Sequence, residues 1–552
     1  MRTGGRILVD NLLVQGVDLA FCVPGESYLP VLDALYDARE SLRLIVCRNE
    51  GGAAYMGEAY GKLTGRPGIV FVTRGPGASN AAIGIHTAQQ DSTPLIVLVG
   101  QVGSDFAGRE AFQEIDYRRM YGSIAKWVAQ IDRADRIPEH VAHAFRVATS
   151  GRPGPVILSL PEDMLSATAD VGDAANVAPI VVTPAAAELA KLRALLTASK
   201  RPLVIAGGSG WNAAASAALA RFAEANALPV ACAFRNQDVF DNGHAYYAGD
   251  VGIGINPKLA ARVRAADVLL VIGERLGEMV TSGYTLLEVP RPKQTLIHVF
   301  PGAEELGRVY QPALGIAASV PAFAEALAAM PRIESPAWND SAAQAHAEYL
   351  AWQSSRPMPG ALDMWAVVAT LRERLPDDAI LCSGAGNYTA WLHRLYRHRR
   401  YRTQLAPYSG SMGYGVPSAV AAKAVHPERV VISWNGDGCF LMNGQELATA
   451  AQYGLGVIFI VVDNGSYGTI RMHQEKHFPG RVYATDLANP DFAALARAYG
   501  ARAETVVRTD EFAPALERSL GAKTPSLLWL KLDPQAITMN ATLDEIRAQA
   551  KR

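Results

Sequence analysis

Short apolar runs bounded by glycine or proline alternate along the chain with longer Ala- and Leu-rich stretches. Examples are Gly68-Ile-Val-Phe-Val-Thr73, Pro94-Leu-Ile-Val-Leu-Val99, Pro155-Val-Ile-Leu-Ser-Leu160, Leu203-Val-Ile-Ala206, Val268-Leu-Leu-Val-Ile272, Val430-Val-Ile-Ser433 and Val457-Ile-Phe-Ile-Val-Val462. Runs of this kind are parallel strands buried on both faces, joined by crossover helices. The pattern predicts an α/β protein throughout. Two shifts in composition mark linkers, the Ala/Asp/Val-rich segment Ala167–Pro184 and the polar, proline-bearing segment Pro331–Gly360. Three units remain, at 1–166, 185–331 and 361–540. The turns Thr73-Arg-Gly-Pro-Gly77 and Trp434-Asn-Gly-Asp-Gly438 each follow an apolar strand and open an Ala-rich helix, so the first and third units read as copies of one βαβ plan.

Composition narrows the class. The 552 residues suit about three to five domains at roughly 100–200 residues each. With 49% apolar and 19% charged residues the chain is neither disordered nor fibrous. Lys plus Arg number 52 against 53 Asp plus Glu, which leaves no excess of positive charge for a phosphate backbone, and nucleic acid is excluded as a partner. Cys22, Cys47, Cys232, Cys382 and Cys439 are odd in number, far apart and never in C-x-x-C spacing, as expected of a reducing cytoplasm. Ile7-Leu-Val9 is too short for a signal-peptide core, and no run of apolar residues is long enough to span a membrane.

The chemistry concentrates in Gly436-Asp437-Gly438 and in Asp463-Asn464-Gly465, each at the end of an apolar strand. Neighbouring parallel strands place their carboxyl ends side by side, where ligands bind. A carboxylate from Asp437 and an amide oxygen from Asn464 would converge there, with a backbone carbonyl and ligand phosphates completing an all-oxygen site suited to Mg²⁺. The glycines let the backbone approach a diphosphate at a helix N-terminus. Taken alone, Gly-Asp-Gly is an ordinary turn in most chains and Asn464 a strand-end cap; the interval between them favours the metal.

On these residues the chain resembles the thiamine diphosphate (ThDP) dependent enzymes, in their acetolactate synthase-like branch. The resemblance implies three doubly wound parallel-sheet domains: pyrimidine-binding, central and diphosphate-binding. It implies Asp437, Asn464 and the Ser466 carbonyl as Mg²⁺ ligands, with Asp463 replacing an asparagine that is not a ligand. In Arg48-Asn-Glu50-Gly-Gly-Ala-Ala54, Glu50 matches the activating glutamate, which hydrogen-bonds the aminopyrimidine N1′ so that N4′ removes the thiazolium proton. Read by itself, Glu50 is an acid favoured by the start of a helix. Thr73–Asn80 and Asp91-Ser-Thr-Pro94 match further signatures of the family. Pro407–Pro417 resembles the loop that bends the cofactor, with Met412 as the wedge and the Gly410 carbonyl accepting from N4′. Ala385, Gly386, Asn387 and Tyr388 lie where the family clasps the diphosphate, the last two replacing Gln and His, and both still able to hydrogen-bond. Gly436, Gly438, Cys439, Tyr467, Gly468 and Thr469 complete that clasp, and Pro24 and Gly25 lie opposite it. Glu26, Ser27, Phe112, Gln113, Ile470 and His473 are implied around the substrate, with Gln113 the leading contact. Lys126 also matches a lysine of the branch. The glutamate and the Gly-Asp-Gly segment come from different chains in this family, which implies a homodimer at minimum and a homotetramer beyond it.

The central unit resembles the domain that holds FAD in acetohydroxyacid synthases and ADP in oxalyl-CoA decarboxylases, and Gly273-Glu-Arg275 matches a Gly-x-Arg used there. Phe300, however, stands where that domain carries an aspartate, and an acid at such a strand end commonly holds a ribose hydroxyl. FAD and ADP both stay open. Acetohydroxyacid synthases carry a Trp that helps select the acceptor where ungapped matching puts His473, which leaves room for another acceptor. The implied activity is ThDP- and Mg²⁺-dependent decarboxylation of a 2-keto acid, pyruvate first, with ligation to a carbonyl acceptor. The alternatives are a 2-hydroxyacyl-CoA lyase, a benzaldehyde lyase-like carboligase and a 2-keto acid decarboxylase, so the partners are keto acids, aldehydes or acyl-CoA. A nicotinamide oxidoreductase lacks its G-x-G-x-x-G with a following acid, and a silent binding subunit would not need Glu50, Asp437 and Asn464 together. Gly57–Lys62 has neither the spacing nor the Ser/Thr of a phosphate loop.

Overall fold

A computed structural model describes residues 1–334 and 336–550. In the first unit, strands β1 (Leu19–Cys22), β2 (Arg43–Val46), β3 (Gly68–Val72), β4 (Leu95–Gln101), β5 (Trp127–Gln130) and β6 (Pro155–Pro161) form one parallel sheet in the order β2-β1-β3-β4-β6-β5. Helix α1 (Glu50–Thr64) follows β2 and α2 (Pro76–Asp91) follows β3. The central sheet is also parallel: β7 (Pro202–Ala206), β8 (Val230–Ala233), β9 (Tyr247–Val251), β10 (Val268–Ile272), β11 (Thr295–Phe300) and β12 (Leu314–Ala317), ordered β9-β8-β7-β10-β11-β12. Helix α3 (Ala213–Asn226) follows β7, and α4 (Ser341–Trp352) comes after the sheet. The third sheet has β13 (Ile380–Ser383), β14 (Gln404–Leu405), β15 (Val431–Gly436), β16 (Ile458–Asp463), β17 (Arg502–Val506) and β18 (Ser526–Lys531), ordered β14-β13-β15-β16-β18-β17. Helices α5 (Gly415–Val425), α6 (Asp437–Asn443), α7 (Glu446–Gln452) and α8 (Gly468–His477) flank it.

The first and third sheets therefore share one strand order, and the central sheet has another. The seven apolar runs are strands because Val, Ile and Leu fill both faces of a parallel sheet covered by helices. The segment Pro331–Gly360, marked by composition as a linker, contains α4, whose Tyr349 ring meets Tyr247 edge-on at 4.8 Å on β9. Gly57–Lys62 lies inside α1, where Glu58 and Lys62 pair one turn apart at 3.1 Å.

Units one and three meet through α1 and α5, the helices that follow equivalent strands. Every residue from Glu50 to Gly61 is buried, and one apolar cluster runs through both units. The Tyr55 and Tyr414 rings cross edge-on at 5.3 Å in this seam. Among the described residues no helix is long and apolar enough to cross a membrane.

Candidate active site

Four strand ends of the third sheet deliver residues to one cavity of about 220 Å³. Ala385, Gly386, Asn387 and Tyr388 follow β13, and Gly410 and Met412 follow β14. Asp437, Gly438 and Cys439 open α6 after Gly436 ends β15. Asn464, Ser466, Tyr467, Gly468, Thr469 and Ile470 follow β16, so sixteen sequence positions from four separate segments of the chain line one space. The floor is backbone. A Cβ on Gly436 would fall 2.7 Å from the Tyr388 ring, one on Gly438 2.6 Å from the Tyr467 ring, and one on Gly468 2.9 Å from Asn464 Nδ2. A glycine-floored cradle at strand ends suits the close approach of a diphosphate.

Asp437 is buried, and its Oδ1 accepts the Gly438 N–H at 2.9 Å while Oδ2 accepts Asn489 Nδ2 at 2.8 Å. The same Asn489 amide donates to Asp463 Oδ1 at 2.8 Å, and Trp529 Nε1 donates to Asp463 Oδ2 at 2.8 Å. Asp463 thus has both oxygens committed to the protein. Burial, reinforced by the nearby Asp463, pushes the Asp437 carboxyl up to about 6. A buried acid in that position gains from a cation. Asp437, Asn464 and Ser466 offer carboxylate, amide and carbonyl oxygens, the donor set of a hard divalent ion, and the residues present fit both Mg²⁺ and a diphosphate.

Asn387 and Tyr388 spend their polar ends on the protein. The Tyr388 hydroxyl donates to Cys439 Sγ at 3.1 Å, and Asn387 Nδ2 donates to the Ile537 carbonyl at 3.1 Å. They line the cavity by ring and backbone and tie strand ends to each other. The loop that carries Gly410 and Met412 is pinned from both sides. Tyr55 Oη lies 2.5 Å from Ser411 Oγ and donates to the Met412 carbonyl at 3.2 Å, while the Gly413 N–H donates to Cys439 Sγ at 3.1 Å. Asp91 accepts the N–H groups of Tyr408 and Ser409 at 3.1 and 3.3 Å and is paired with Lys62.

The first unit carries a second crest of strand-end residues. Pro24, Gly25, Glu26 and Ser27 follow β1, and Ser27 Oγ lies 2.8 Å from Thr73 Oγ1 at the end of β3. Glu50 heads α1, capped by Asn49, and its Oε2 accepts Asn80 Nδ2 at 2.9 Å. Gln113 sits at φ +67 against Gly75, in the left-handed region that non-glycine residues seldom occupy, and Phe112 beside it is 72% exposed. None of these residues lines the 220 Å³ cavity. The expected site residues thus form two separate groups within the chain. His473 lies exposed on α8, and Lys126 is turned to the Val147 and Ser150 carbonyls of its own unit.

Three residues bear on the site that sequence reasoning did not single out: Asn489, Asn80 and Glu446. Glu446, fully buried on α7, accepts the backbone N–H groups of Arg48 and Asn49, each at 3.0 Å, and so fixes the start of the Glu50 helix. Asn80 lay in a segment with a signal, Thr73–Asn80, and Glu446 in the helix between Gly436-Asp437-Gly438 and Asn464, whereas Asn489 carried none.

Comparison with known proteins adds to this geometry. Residues 2–120 match the family described as thiamine pyrophosphate enzyme, N-terminal TPP binding domain, residues 189–327 its central domain, and residues 384–529 its C-terminal TPP binding domain. The chain is 31% identical over 536 residues to the acetolactate synthase isozyme 2 large subunit of Escherichia coli, covering 96% of this chain and 95% of that protein. It is 32% identical over 544 residues to the acetolactate synthase large subunit of Corynebacterium glutamicum, covering 94% and 84%. To the probable acetolactate synthase large subunit of Methanocaldococcus jannaschii it is 31% identical over 552 residues, covering 96% and 92%.

Proposed function

The chain belongs to the thiamine diphosphate-dependent enzymes, as an acetolactate synthase-like carboligase, and on that premise we propose that it decarboxylates a 2-keto acid, pyruvate first, and joins the remaining fragment to a carbonyl acceptor. The observation that carries this reading is the meeting of Asp437, Asn464 and Ser466 over a glycine floor in one cavity. ThDP, when bound, supplies the carbon nucleophile and the electron sink for decarboxylation. The protein supplies position. Asp437, Asn464 and the Ser466 carbonyl hold Mg²⁺ against the diphosphate, and Gly436, Gly438 and Gly468 admit it to the backbone. Met412 and the Gly410 carbonyl orient the rings, on a loop that Tyr55 and Asp91 keep rigid. Glu50 holds and returns a proton at the pyrimidine N1′, kept in line by Asn80. Glu26, Phe112, Gln113 and Ile470 face the substrate, and Ser27, fully buried, braces Thr73 behind them. His473, exposed on α8, favours a second reading in which the acceptor differs, as in a 2-hydroxyacyl-CoA lyase or a benzaldehyde lyase-like carboligase.

The test is to give the purified protein ThDP, Mg²⁺ and pyruvate and to follow CO₂ and acetolactate together. Both are expected in the ratio of one CO₂ to one acetolactate. CO₂ with another product moves the reading to a different acceptor, and neither product from protein that holds ThDP rules out pyruvate as donor.

The two half-sites of one chain do not share a cavity, which supports completion of the site between two copies, with a homodimer as the smallest working unit. Free, buried cysteines fit a cytoplasmic setting. Co-expression tests the pairing. Glu50→Gln and Asp437→Ala chains are each inactive alone, but a mixed dimer keeps one intact site, and mixing restores roughly a quarter of wild-type activity, the share left by random pairing in a symmetric dimer. No recovery on mixing would place both half-sites in one chain.

A further inference from the structure

The central cleft raises a separate question, whether it takes a flavin dinucleotide. It lies beyond the carboxyl ends of β7 and β10, where the strand order reverses, the usual place for a nucleotide. Four features there oppose one. β11 ends in Phe300, which is buried, where an aspartate would hold a ribose, and the buried Glu305 of the turn that follows is already paired with Arg152 at 2.8 Å and Arg275 at 3.5 Å. The Gly208 N–H, the loop donor that would cradle a phosphate, is already given to Asn236 Oδ1 at 2.6 Å. Glu274 turns inward beside this loop, buried, with one oxygen 3.2 Å from where a Cβ on Gly207 would stand, so a diphosphate would face a buried acid. Finally, the cleft is two compartments, about 730 Å³ and 550 Å³, and both are walled by Arg235 and Tyr408.

That wall is built from all three units. Tyr408, from the loop that also carries Gly410 and Met412, donates its hydroxyl to Glu274 Oε2 at 3.1 Å and stacks on Phe234 with ring centroids 6.3 Å apart. Arg235 donates to the Pro407 carbonyl, and Asp91 of the first unit receives the Tyr408 N–H. The residues present do not fit an extended dinucleotide.

We propose that this chain works without FAD, and that the Glu274–Tyr408–Arg235 wall stands in the dinucleotide's place and braces the cofactor-bending loop from behind. The proposal rests on the ThDP reading above. Glu274 and Tyr408 are then positioning residues that act through the loop.

The test loads the full-length protein with ThDP and Mg²⁺, incubates it with excess FAD, removes free ligand, and measures bound flavin by absorbance and bound ThDP separately. Stoichiometric ThDP with only trace flavin is expected, before and after loading. Flavin retained at one per chain overturns the proposal whatever the ThDP content, whereas protein that retains no ThDP overturns the reading it rests on. Tyr408→Phe keeps the stacked ring and loses the hydroxyl, and is expected to raise the ThDP dissociation constant about tenfold, the worth of one hydrogen bond to a carboxylate. Glu274→Gln keeps an acceptor for that hydroxyl and is expected to hold ThDP as the wild type does, while Glu274→Leu does not. Equal ThDP affinity in all three variants would sink the bracing role.

Discussion

Glu50→Gln lowers turnover about 10²- to 10⁴-fold, the usual worth of a positioned acid–base group, with ThDP retained nearly as in the wild type. The substitution keeps size and shape, and an amide oxygen still accepts from Asn80 where the carboxylate does now at 2.9 Å. The helix start is unchanged, because Asn49 caps it and Glu446 holds Arg48 and Asn49 from α7. What is lost is the capacity to hold a proton and give it back. Steady-state kinetics beside a ThDP-binding measurement separate the two effects: a large fall in kcat with little change in cofactor affinity supports the role, and full activity in Glu50→Gln would remove Glu50 from the mechanism.

Asp437→Ala has the opposite signature, since it strikes retention before rate. Asp437 supplies the one carboxylate in the proposed metal set, and α6 begins on it. Partners of metal ligands are typically worth 10- to 100-fold in affinity, so removal of the ligand itself is expected to weaken Mg²⁺-dependent ThDP binding by more than about 100-fold. Asn489→Leu, which leaves every ligand in place but unties Asp437 from Asp463, is expected to fall in that 10- to 100-fold range. Mg²⁺ titrations of ThDP binding distinguish them, and unchanged affinity in Asp437→Ala would mean that the cation sits elsewhere.

The sequence makes strand ends readable and side-chain partnerships obscure, for a physical reason. A parallel strand buried on both faces needs an unbroken apolar run, and Gly or Pro closes it, so β10 can be read to the residue. The edge strand β14 has two residues, Gln404 and Leu405, too short for any period to register. Helix α4 hides in a polar, proline-bearing stretch because its contacts lie on β9, far back in the chain. The site follows the same rule. Asp437 and Asn464 announce themselves by spacing between glycines, whereas Asn489 looks like any turn asparagine until folding lays it between two acids, and Glu446 is a helix glutamate until it meets Arg48. Tyr388 matches by position, yet its hydroxyl is drawn to Cys439, a choice set by burial that no local pattern encodes.

The seam between α1 and α5 bears on how the chain is made. Residues 1–166 leave the ribosome long before residues 415–425, which cover α1, exist. Until then a helix that is buried almost all round in the finished protein has one face with nothing to pack on. The newborn first unit is thus a substrate for chaperones and an aggregation hazard, and truncated forms that end before α5 inherit the same exposed face.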